Sequence, residues 1–422
     1  MSSVAVRVTS MVCSGCGYTA PPDDPAPFRC PNADRDDVDH VLRRTIDADA
    51  AGVHDALRDH ERDPFIRYRK LTHAWHTAIG NGITDAQFIA IVRNLEERIG
   101  QPFRVTPLYE HNALAHTLDL NADVWVKNET ENVAHSHKAR HLMGIAIWLE
   151  VMDRIRPGPK ARLAIASCGN AAMAAAVIAR AMRRPLDVYI PVDADPGVVV
   201  RLAELGANVM PCSRGRDDHG DPAYLRFREA VASGALPFSV QGNENALAIE
   251  GGETLGWEMI SQLMSNRATL DRLFIQVGGG ALASSCIAAF EDAGVPLPKI
   301  HAVQTTASPL KRAWDLVRDF DYAVHHRSKF MWPWETPAQS VATGILDDET
   351  YDWAAVIRGM MTSGGSPVIV SEARLVEANR IAVSMTGIHA SATGTAGLAG
   401  LLELQHRGEI DENEAVGVIF SG

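Results

Sequence analysis

The alternation of short apolar strands with helix-forming segments most constrains the fold of this 422-residue chain. RLAIA (162–166), LDVYIPV (186–192) and ANVMPC (207–212) have the length and apolar content of buried strands. Between them, the Ala-rich segment 171–182 and the segment 198–206 favour helices. Five alternating elements of this kind predict a parallel sheet covered by helices on both faces.

The same alternation restarts in the second half of the chain. RLFIQV (272–277) is followed by a glycine turn, a helix-forming segment at 281–294 and the strand IHAVQT (301–306). Two such units predict an α/β protein with two doubly wound parallel-sheet subdomains and a cofactor cleft between them. Residues 310–340 break the alternation, and we interpret them as an insertion or loop.

The chain divides into three predicted parts. An N-terminal segment rich in Pro, Asp and Cys comes first. Residues 37–100 follow it and are predicted to be mainly helical, as the apolar spacing in 85–100 indicates. The predicted parts are a Cys-rich ribbon-like extension at 1–36, a large cofactor-binding subdomain at 37–130 and 246–422, and a small subdomain at 131–245.

Charge and hydropathy exclude several classes of function. A net charge of -12, spread along the chain, argues against a nucleic-acid-binding groove, which needs clustered Lys and Arg. No apolar run is long enough to span a membrane, and the N-terminus lacks the apolar core of a secretory signal. We therefore expect a cytoplasmic protein without nucleic-acid or membrane partners.

Three of the six cysteines lie close together in the extension. Cys13 and Cys16 form a CxxC pair, and Cys30 follows, which resembles half of a zinc ribbon. No fourth cysteine follows, so Asp34 or His40 would have to complete a site, and the spacing selects neither. The sequence favours a degenerate ribbon without zinc over a metal site on these cysteines.

Three turns carry residues suited to catalysis. Lys138 stands where a strand-rich segment gives way to a helix-forming one. The glycines at 278–280 follow a strand and open a helix, so their amides and the helix end suit a phosphate, and the same three glycines equally suit a tight turn without a ligand. SCGN (167–170) lies at an equivalent turn, where its amides suit a carboxylate, or where Ser167 or Asn170 caps the helix. Together these turns make Lys138 a candidate Schiff-base nucleophile.

Five segments occur in the same order as in fold-type II pyridoxal-phosphate enzymes, the tryptophan synthase β-like family. They are VWVKNETENVAHSHKAR, SCGNAAMAAAVIARAM, IEGGETLGWEM, QVGGGALASS and VIFSG. The resemblance spans about residues 100–422 and is strongest to the threonine synthase and threonine/serine dehydratase branches. VTPLYE (105–110) and the Cys-rich extension are similar to segments of the same branches.

The resemblance implies pyridoxal phosphate as cofactor and assigns a role to each motif residue. Lys138 forms the Schiff base, Asn170 contacts the ring oxygen, and Ser421 faces the pyridine nitrogen. His137 packs beside the cofactor or contacts its phosphate. The phosphate cradle is formed by Gly278, Gly279, Gly280, Ala281 and Leu282, and the substrate carboxylate is held by Ser167, Cys168, Gly169 and Asn170.

These roles predict a lyase that removes the α-proton and β-hydroxyl of a threonine- or serine-like amino acid. Lys138, once displaced by the substrate amine, is the base. The alternative is a threonine synthase-like replacement on O-phosphohomoserine, whose second phosphate needs cations; Arg104, Arg140 and Lys127 are available. Relatives of this kind are commonly dimers, so we expect a homodimer.

A non-catalytic binding protein on a degenerate enzyme fold is the third hypothesis. The chain reads SHKARHL where threonine synthases usually read SFKDRG. It also carries Ser391-Ala392 where many relatives have an acidic EP segment. These departures lie on the substrate side and leave the identity of the amino acid open.

Overall fold

The computed structural model describes residues 8–334 and 338–422. The strands are β1 (Thr9–Cys13), β2 (Leu42–Ile46), β3 (Leu108–Glu110), β4 (Val124–Asn128), β5 (Leu163–Ala166), β6 (Leu186–Pro191), β7 (Asn208–Cys212), β8 (Leu236–Pro237), β9 (Arg272–Gln276), β10 (Lys299–Gln304), β11 (Ser366–Ile369) and β12 (Val416–Phe420).

The helices alternate with these strands over most of the chain. They are α1 (Ala48–Ala51), α2 (Val53–Arg58), α3 (Pro64–Arg67), α4 (His73–Gly80), α5 (Asp85–Ile99), α6 (Asn112–Thr117), α7 (Lys138–Ile155), α8 (Asn170–Met182), α9 (Pro196–Glu204), α10 (Pro222–Ala232), α11 (Ala246–Asn266), α12 (Ala281–Ala293), α13 (Pro309–Leu316), α14 (Phe320–Val324), α15 (Trp353–Ser363), α16 (Glu372–Thr386) and α17 (Ala396–His406).

Two parallel sheets organise the fold. The smaller has the order β7-β6-β5-β8 and is parallel throughout. The larger has the order β11-β10-β9-β12-β4-β3. Its β3–β4 pair is antiparallel, and its other strand pairs are parallel. The predicted α/β class with two parallel-sheet units is confirmed. The strands predicted at 162–166, 186–192 and 207–212 correspond to β5, β6 and β7 within one residue at each end.

The cysteine-rich segment forms a hairpin that reaches past residue 36. β1 pairs antiparallel with β2, with Cys13 opposite Leu42. We therefore propose that this unit ends after β2. The strands of the smaller sheet all lie within the predicted small subdomain, and the subdomain bounds stay predictions.

Residues 310–340 are more helical than an insertion loop. Pro309 occupies the first turn of α13, and Asp319 caps α14 through its side chain, so both helices begin with favourable residues. The guanidinium of Arg312 lies 3.6 Å from the ring centroid of Trp332 and anchors the segment that follows. Residues 335–337 of this stretch lie outside the described part of the chain.

Two long helices approach each other closely behind the cleft. A Cβ placed on Gly144 of α7 would lie 2.7 Å from Cα of Gly251 in α11. A Cβ on Gly251 would lie 2.4 Å from the carbonyl oxygen of Arg140. Glycine is therefore required on both helices, and the contact fixes α7, which begins with Lys138, against α11.

A fully buried ion cluster fixes the first turn of α7. Arg140 donates two hydrogen bonds of 2.9 Å to the carboxylate of Glu129 and lies 3.1 Å from that of Glu258. Glu258 also pairs with Lys127 at 2.5 Å. All four side chains have no exposed surface, and their two positive and two negative charges balance. Thr106 donates its backbone N–H to Glu258 at 2.6 Å.

In the described part of the chain, no helix combines the length with the apolar character that crossing a bilayer requires.

We predict that Arg140→Met destabilises the fold by about 3–5 kcal/mol, because it leaves two buried carboxylates facing one lysine. Denaturant unfolding of the purified variant measures this loss. Arg407→Met is the matched control, since Arg407 forms an exposed ion pair with Glu403 and its loss should cost at most about 0.5 kcal/mol. Equal effects of the two substitutions would contradict a structural role of the cluster.

Candidate active site

Lys138 is the first residue of α7 and is only partly covered by protein atoms. Its ammonium forms neither a hydrogen bond nor an ion pair with the described residues, whereas its backbone N–H donates to Ser136 Oγ at 3.3 Å. Desolvation lowers the pKa of this amine, against the opposing effect of Asp347 and Cys168 nearby. Burial therefore shifts the amine toward its neutral form, which is the nucleophilic and basic one.

His137 and Ser421 are brought together beside the lysine. Ser421 Oγ accepts the backbone N–H of His137 at 3.2 Å and lies 2.8 Å from its ring Nδ1. The imidazole is buried and packs edge-on to His141 at 5.8 Å between ring centroids. Burial, with the charge of Lys138, holds the pKa of His137 well below its ordinary value. The imidazole is therefore a weaker base than an ordinary histidine.

The loop from Ser167 to Asn170 lies between β5 and α8. Asn170 donates its side-chain N–H to the carbonyl oxygen of Gly422. Ser167 Oγ accepts the N–H of Gly169 at 3.3 Å. Gly169 is the N-cap of α8 and makes no side-chain bond there, so neither Ser167 nor Asn170 caps the helix. The interpretation of this turn as a helix start capped by Ser167 or Asn170 is wrong.

The glycine turn between β9 and α12 is shaped by close approach. A Cβ on Gly278 would lie 2.2 Å from Oδ2 of Asp347, and one on Gly279 would lie 2.9 Å from Cδ2 of Tyr351. Gly280 has a φ of 99°, in the left-handed region that favours glycine. Each of the three positions therefore requires a residue without a side chain.

Asp347 is a site residue that the sequence did not reveal. It follows a 3-10 turn at Thr343–Ile345, lies against Gly278, and accepts a hydrogen bond from the backbone of Gly279. Burial raises the pKa of its carboxyl to about 6, even though Lys138 opposes the shift. A run of three acids at 347–349 in an otherwise apolar stretch is the only sequence signal that pointed to it.

The residues present fit pyridoxal phosphate. α7, α8 and α12 all begin at this cleft, and none of the three has a side-chain N-cap bond. The first amides of a helix have no carbonyl partner and carry partial positive charge. At α7 these amides already donate to Ser136 and His137, so the ends of α8 and α12 are the two that suit the cofactor phosphate and a substrate carboxylate. The amine of Lys138, which has no bond to the described residues, interacts electrostatically with Cys168 of the loop before α8 and with Asp347 beside the glycine turn.

Not every predicted residue turns its side chain toward the cleft. Leu282, in the first turn of α12, packs into the core, so only its amide can contribute to a cradle. Lys127 and Arg140 are held in the buried ion cluster. Arg104 donates to the carbonyl oxygen of Phe103 at 2.6 Å. Cys13, Cys16 and Cys30 lie in the hairpin unit and not among these residues.

Comparisons with known proteins agree with this geometry. The family model described as pyridoxal-phosphate dependent enzyme matches residues 99–422. A threonine synthase of Methanocaldococcus jannaschii is 25% identical over 325 residues, covering 75% of this chain and 74% of that protein. A biosynthetic L-threonine dehydratase of Haemophilus influenzae is 26% identical over 340 residues, covering 80% of this chain and 60% of that protein.

Solved structures show the same fold. Diaminopropionate ammonia lyase from Escherichia coli superposes with a TM-score of 0.62 at 18% identity, covering 79% of this chain and 88% of that one. A threonine deaminase from T.th. gives a TM-score of 0.61 at 23% identity, covering 79% of this chain and 97% of that one.

The chain belongs to the pyridoxal-phosphate dependent enzyme family. Within it, the fold is that of the fold-type II enzymes, and the predicted resemblance and cofactor are confirmed.

We predict that Asp347→Asn changes how stability depends on pH in protein freed of cofactor. The folded carboxyl has a pKa of about 6, whereas the unfolded one loses its proton near the ordinary value of 3.8. The folded parent therefore binds more protons in this window, and its stability falls as pH rises through it. The variant lacks this loss, so its stability relative to the parent should rise by on the order of 3 kcal/mol from acidic to neutral pH.

Denaturant unfolding at a series of pH values checks this prediction. The matched control is Asp315→Asn, an exposed carboxylate paired with Lys311, which should show no such trend. If the free energies of unfolding of Asp347→Asn and of the parent differed by the same amount at every pH, burial would not shift the pKa of the Asp347 carboxyl.

Proposed function

We propose that the protein is an ammonia-lyase that eliminates the β-hydroxyl of a threonine- or serine-like amino acid. The observation that carries the proposal is one unpaired lysine, Lys138, facing one protonatable carboxyl, Asp347. A base for the α-proton and an acid for the leaving hydroxyl are what β-elimination requires. Names of relatives and structural neighbours, among them a threonine dehydratase and a serine ammonia-lyase, support the same reaction type.

Each site residue has a proposed part in the reaction. The amide ends of α8 hold the substrate carboxylate, and Asn170 and Ser421 orient the cofactor ring. When bound, the cofactor would supply an electron-withdrawing ring that stabilises negative charge at Cα. Ser421 offers a hydroxyl to the pyridine nitrogen and does not enforce its protonation, which limits electron withdrawal and favours elimination.

Proton transfer balances within this set of residues. The neutral amine of Lys138, once the substrate amine has displaced it, takes the proton from Cα. As the Cβ–O bond breaks, Asp347 gives its proton to the departing hydroxyl, which leaves as water. The ammonium of Lys138 then returns a proton to the carboxylate of Asp347, and the released unsaturated amine takes up water and yields an oxo acid and ammonia. A carboxyl with a pKa of about 6 suits this donation near neutral pH, because it is neither fully ionised nor firmly protonated.

A threonine synthase-like replacement is the second candidate, favoured by the relative of Methanocaldococcus jannaschii, which matches three quarters of the chain. The charges of the site oppose it. The carboxyl of Asp347 lies in the field of Asp348 and Asp221, which would repel the phosphate of O-phosphohomoserine. Lys127 and Arg140 are held in ion pairs and cannot reach that phosphate without leaving two buried carboxylates unpaired.

A substrate panel separates the two reactions. Threonine, serine, a bulkier β-hydroxy amino acid and O-phosphohomoserine are offered in turn to the holoenzyme, and oxo acid, ammonia, threonine and phosphate are measured. We expect oxo acid and ammonia from a β-hydroxy amino acid. Threonine and phosphate formed from O-phosphohomoserine, with no oxo acid from the others, would overturn the lyase proposal.

Lys138→Ala should abolish turnover and the visible absorption of lysine-bound cofactor, since both the base and the attachment point are lost. Borohydride reduction followed by peptide mass spectrometry locates the attachment. Lys311→Ala, which removes an exposed lysine paired with Asp315, is the control and should keep both properties. Cofactor trapped on the Lys138→Ala chain would contradict the assignment, and absence of bound cofactor in the parent would favour a non-catalytic binding protein.

Asp347→Asn tests the acid separately. We expect kcat to fall by about 10²–10⁴-fold, the usual contribution of a positioned proton donor. The affinity for pyridoxal phosphate should rise, because the substitution removes a negative charge from the glycine turn that receives the phosphate. Cofactor titration by absorbance and steady-state kinetics measure the two effects. A variant with unchanged kcat would exclude Asp347 as the acid.

We also propose a cytoplasmic homodimer that uses a small amino acid and binds neither membranes nor nucleic acids. Light scattering of the holoenzyme after size-exclusion chromatography tests the assembly.

A further inference from the structure

Four potential metal ligands meet in the hairpin unit. The thiols of Cys13, Cys16 and Cys30 and a ring nitrogen of His40 all lie within 4.8 Å of one another. Cys16 is exposed, whereas the other three residues are buried. We propose that these residues form a tetrahedral zinc site, separate from the active site, that fastens the hairpin unit to the body of the enzyme.

The distances match those that a tetrahedral zinc ion imposes. Zinc lies about 2.3 Å from thiolate sulfur and about 2.0–2.1 Å from imidazole nitrogen, so the ligand atoms are separated by roughly 3.8 Å for two sulfurs and roughly 3.5 Å for sulfur and nitrogen. Here Cys16 Sγ and Cys30 Sγ are 3.8 Å apart. His40 Nδ1 lies 3.5 Å from Cys13 Sγ and 3.6 Å from Cys30 Sγ.

The orientation of His40 is an independent indication of a ligand. Its Nε2 lies 2.8 Å from Oδ1 of Asp36. An ionised carboxylate only accepts hydrogen bonds, so the ring proton belongs on Nε2 and the lone pair of Nδ1 faces the three sulfurs. A carboxylate that orients the far side of an imidazole in this way is the usual support of a zinc-binding histidine.

The local backbone explains why these residues converge. β1 ends at Cys13, and the chain turns back so that the N–H of Cys13 donates to the carbonyl of Tyr18 at 2.7 Å. Gly17, with a φ of 71°, occupies the left-handed position of this turn. Because Cys13 lies opposite Leu42 in the hairpin, His40 arrives beside the thiols just before β2 begins.

The other residue considered as a fourth ligand is already engaged. Asp34 forms two hydrogen bonds to Arg29, of 2.5 Å and 2.8 Å, and pairs with Arg228. His40 therefore completes the set, and the expectation of a ribbon without metal gives way to this proposal. Three thiolates and one imidazole are a ligand set that zinc prefers, and four protein ligands leave no open position for catalysis.

The site lies at a junction between the hairpin unit and the active site. Asp39, next to His40, accepts a hydrogen bond from the indole of Trp353 at 3.0 Å, and its N–H donates to Val324. Trp353 begins α15, and the preceding residue, Asp352, donates its N–H to the carbonyl of Gly279 at 2.8 Å. Metal at His40 would therefore stabilise the segment that supports the glycine turn.

Metal analysis of the purified full chain is the first test. We expect about one zinc ion per chain in the parent, and loss of most of it in Cys16→Ser and His40→Asn. Cys16 is chosen because its side chain is exposed, so its substitution leaves the packing of the core intact. Cys212→Ser is the matched control, since Cys212 lies in β7 of the smaller sheet and should leave the zinc content unchanged.

Cobalt substitution gives a readout that does not depend on folding yield or activity. Co²⁺ added to zinc-depleted parent should produce the intense visible bands of a tetrahedral thiolate site, and these should weaken in Cys16→Ser. Asp36→Asn should keep the stoichiometry but reduce affinity by about 10–100-fold, as expected for a residue that only orients the ligand. Asp23→Asn, an exposed carboxylate of the same segment, is its control.

The proposal is overturned if the parent, produced with zinc in the medium, contains no metal and gives no cobalt spectrum. A disulfide between Cys16 and Cys30 in the native protein would overturn it as well, since it removes two ligands. Removal of zinc by a chelator should also lower the midpoint of thermal unfolding in the parent and not in Cys16→Ser. Equal midpoints in all samples would refute a stabilising role.

Discussion

The buried ion cluster at the start of α7 is the interaction on which the active site depends. Arg140 lies two residues after Lys138, and its bonds to Glu129 and Glu258 connect the residue that follows β4 with α7 and α11 at one point. Charged side chains that are shielded from solvent tolerate little displacement, because each lost contact leaves a buried charge without a partner. The position of the reactive lysine is therefore determined by ion pairs to which its own side chain does not contribute.

Two lysines illustrate how the surroundings assign a function to a residue type. Lys127 is surrounded by oxygen atoms of Thr106, Glu258 and Gln262 and is committed to structure. Lys138 makes no such bond with the described residues, and burial lowers its pKa. Asp347 is the complement on the facing loop, a carboxyl whose pKa is raised by the same lack of water. Desolvation thus shifts the pKa values of the proposed base and the proposed acid in opposite directions.

Local patterns in the sequence were sufficient to predict much of this structure. The strands β5, β6 and β9, the glycine turn and the position of Lys138 follow from apolar periodicity and turn chemistry, which act over short distances. The sequence did not reveal the pairing of Arg140 with Glu258, the approach of Asp347 to Gly278, or the selection of His40 over Asp34. Each of these depends on contacts between segments far apart in the chain, for which no spacing rule exists.

The order of strands in the larger sheet has a consequence for synthesis of the protein. β12 lies between β9 and β4, with Val418 opposite both Val126 and Phe274. During translation, the apolar flank of β4 has no neighbour on this side until the last of the three strands leaves the ribosome. Unpaired strand edges of this kind associate readily with other chains. Nascent chains of this enzyme are therefore expected to depend on chaperones until β12 has been synthesised.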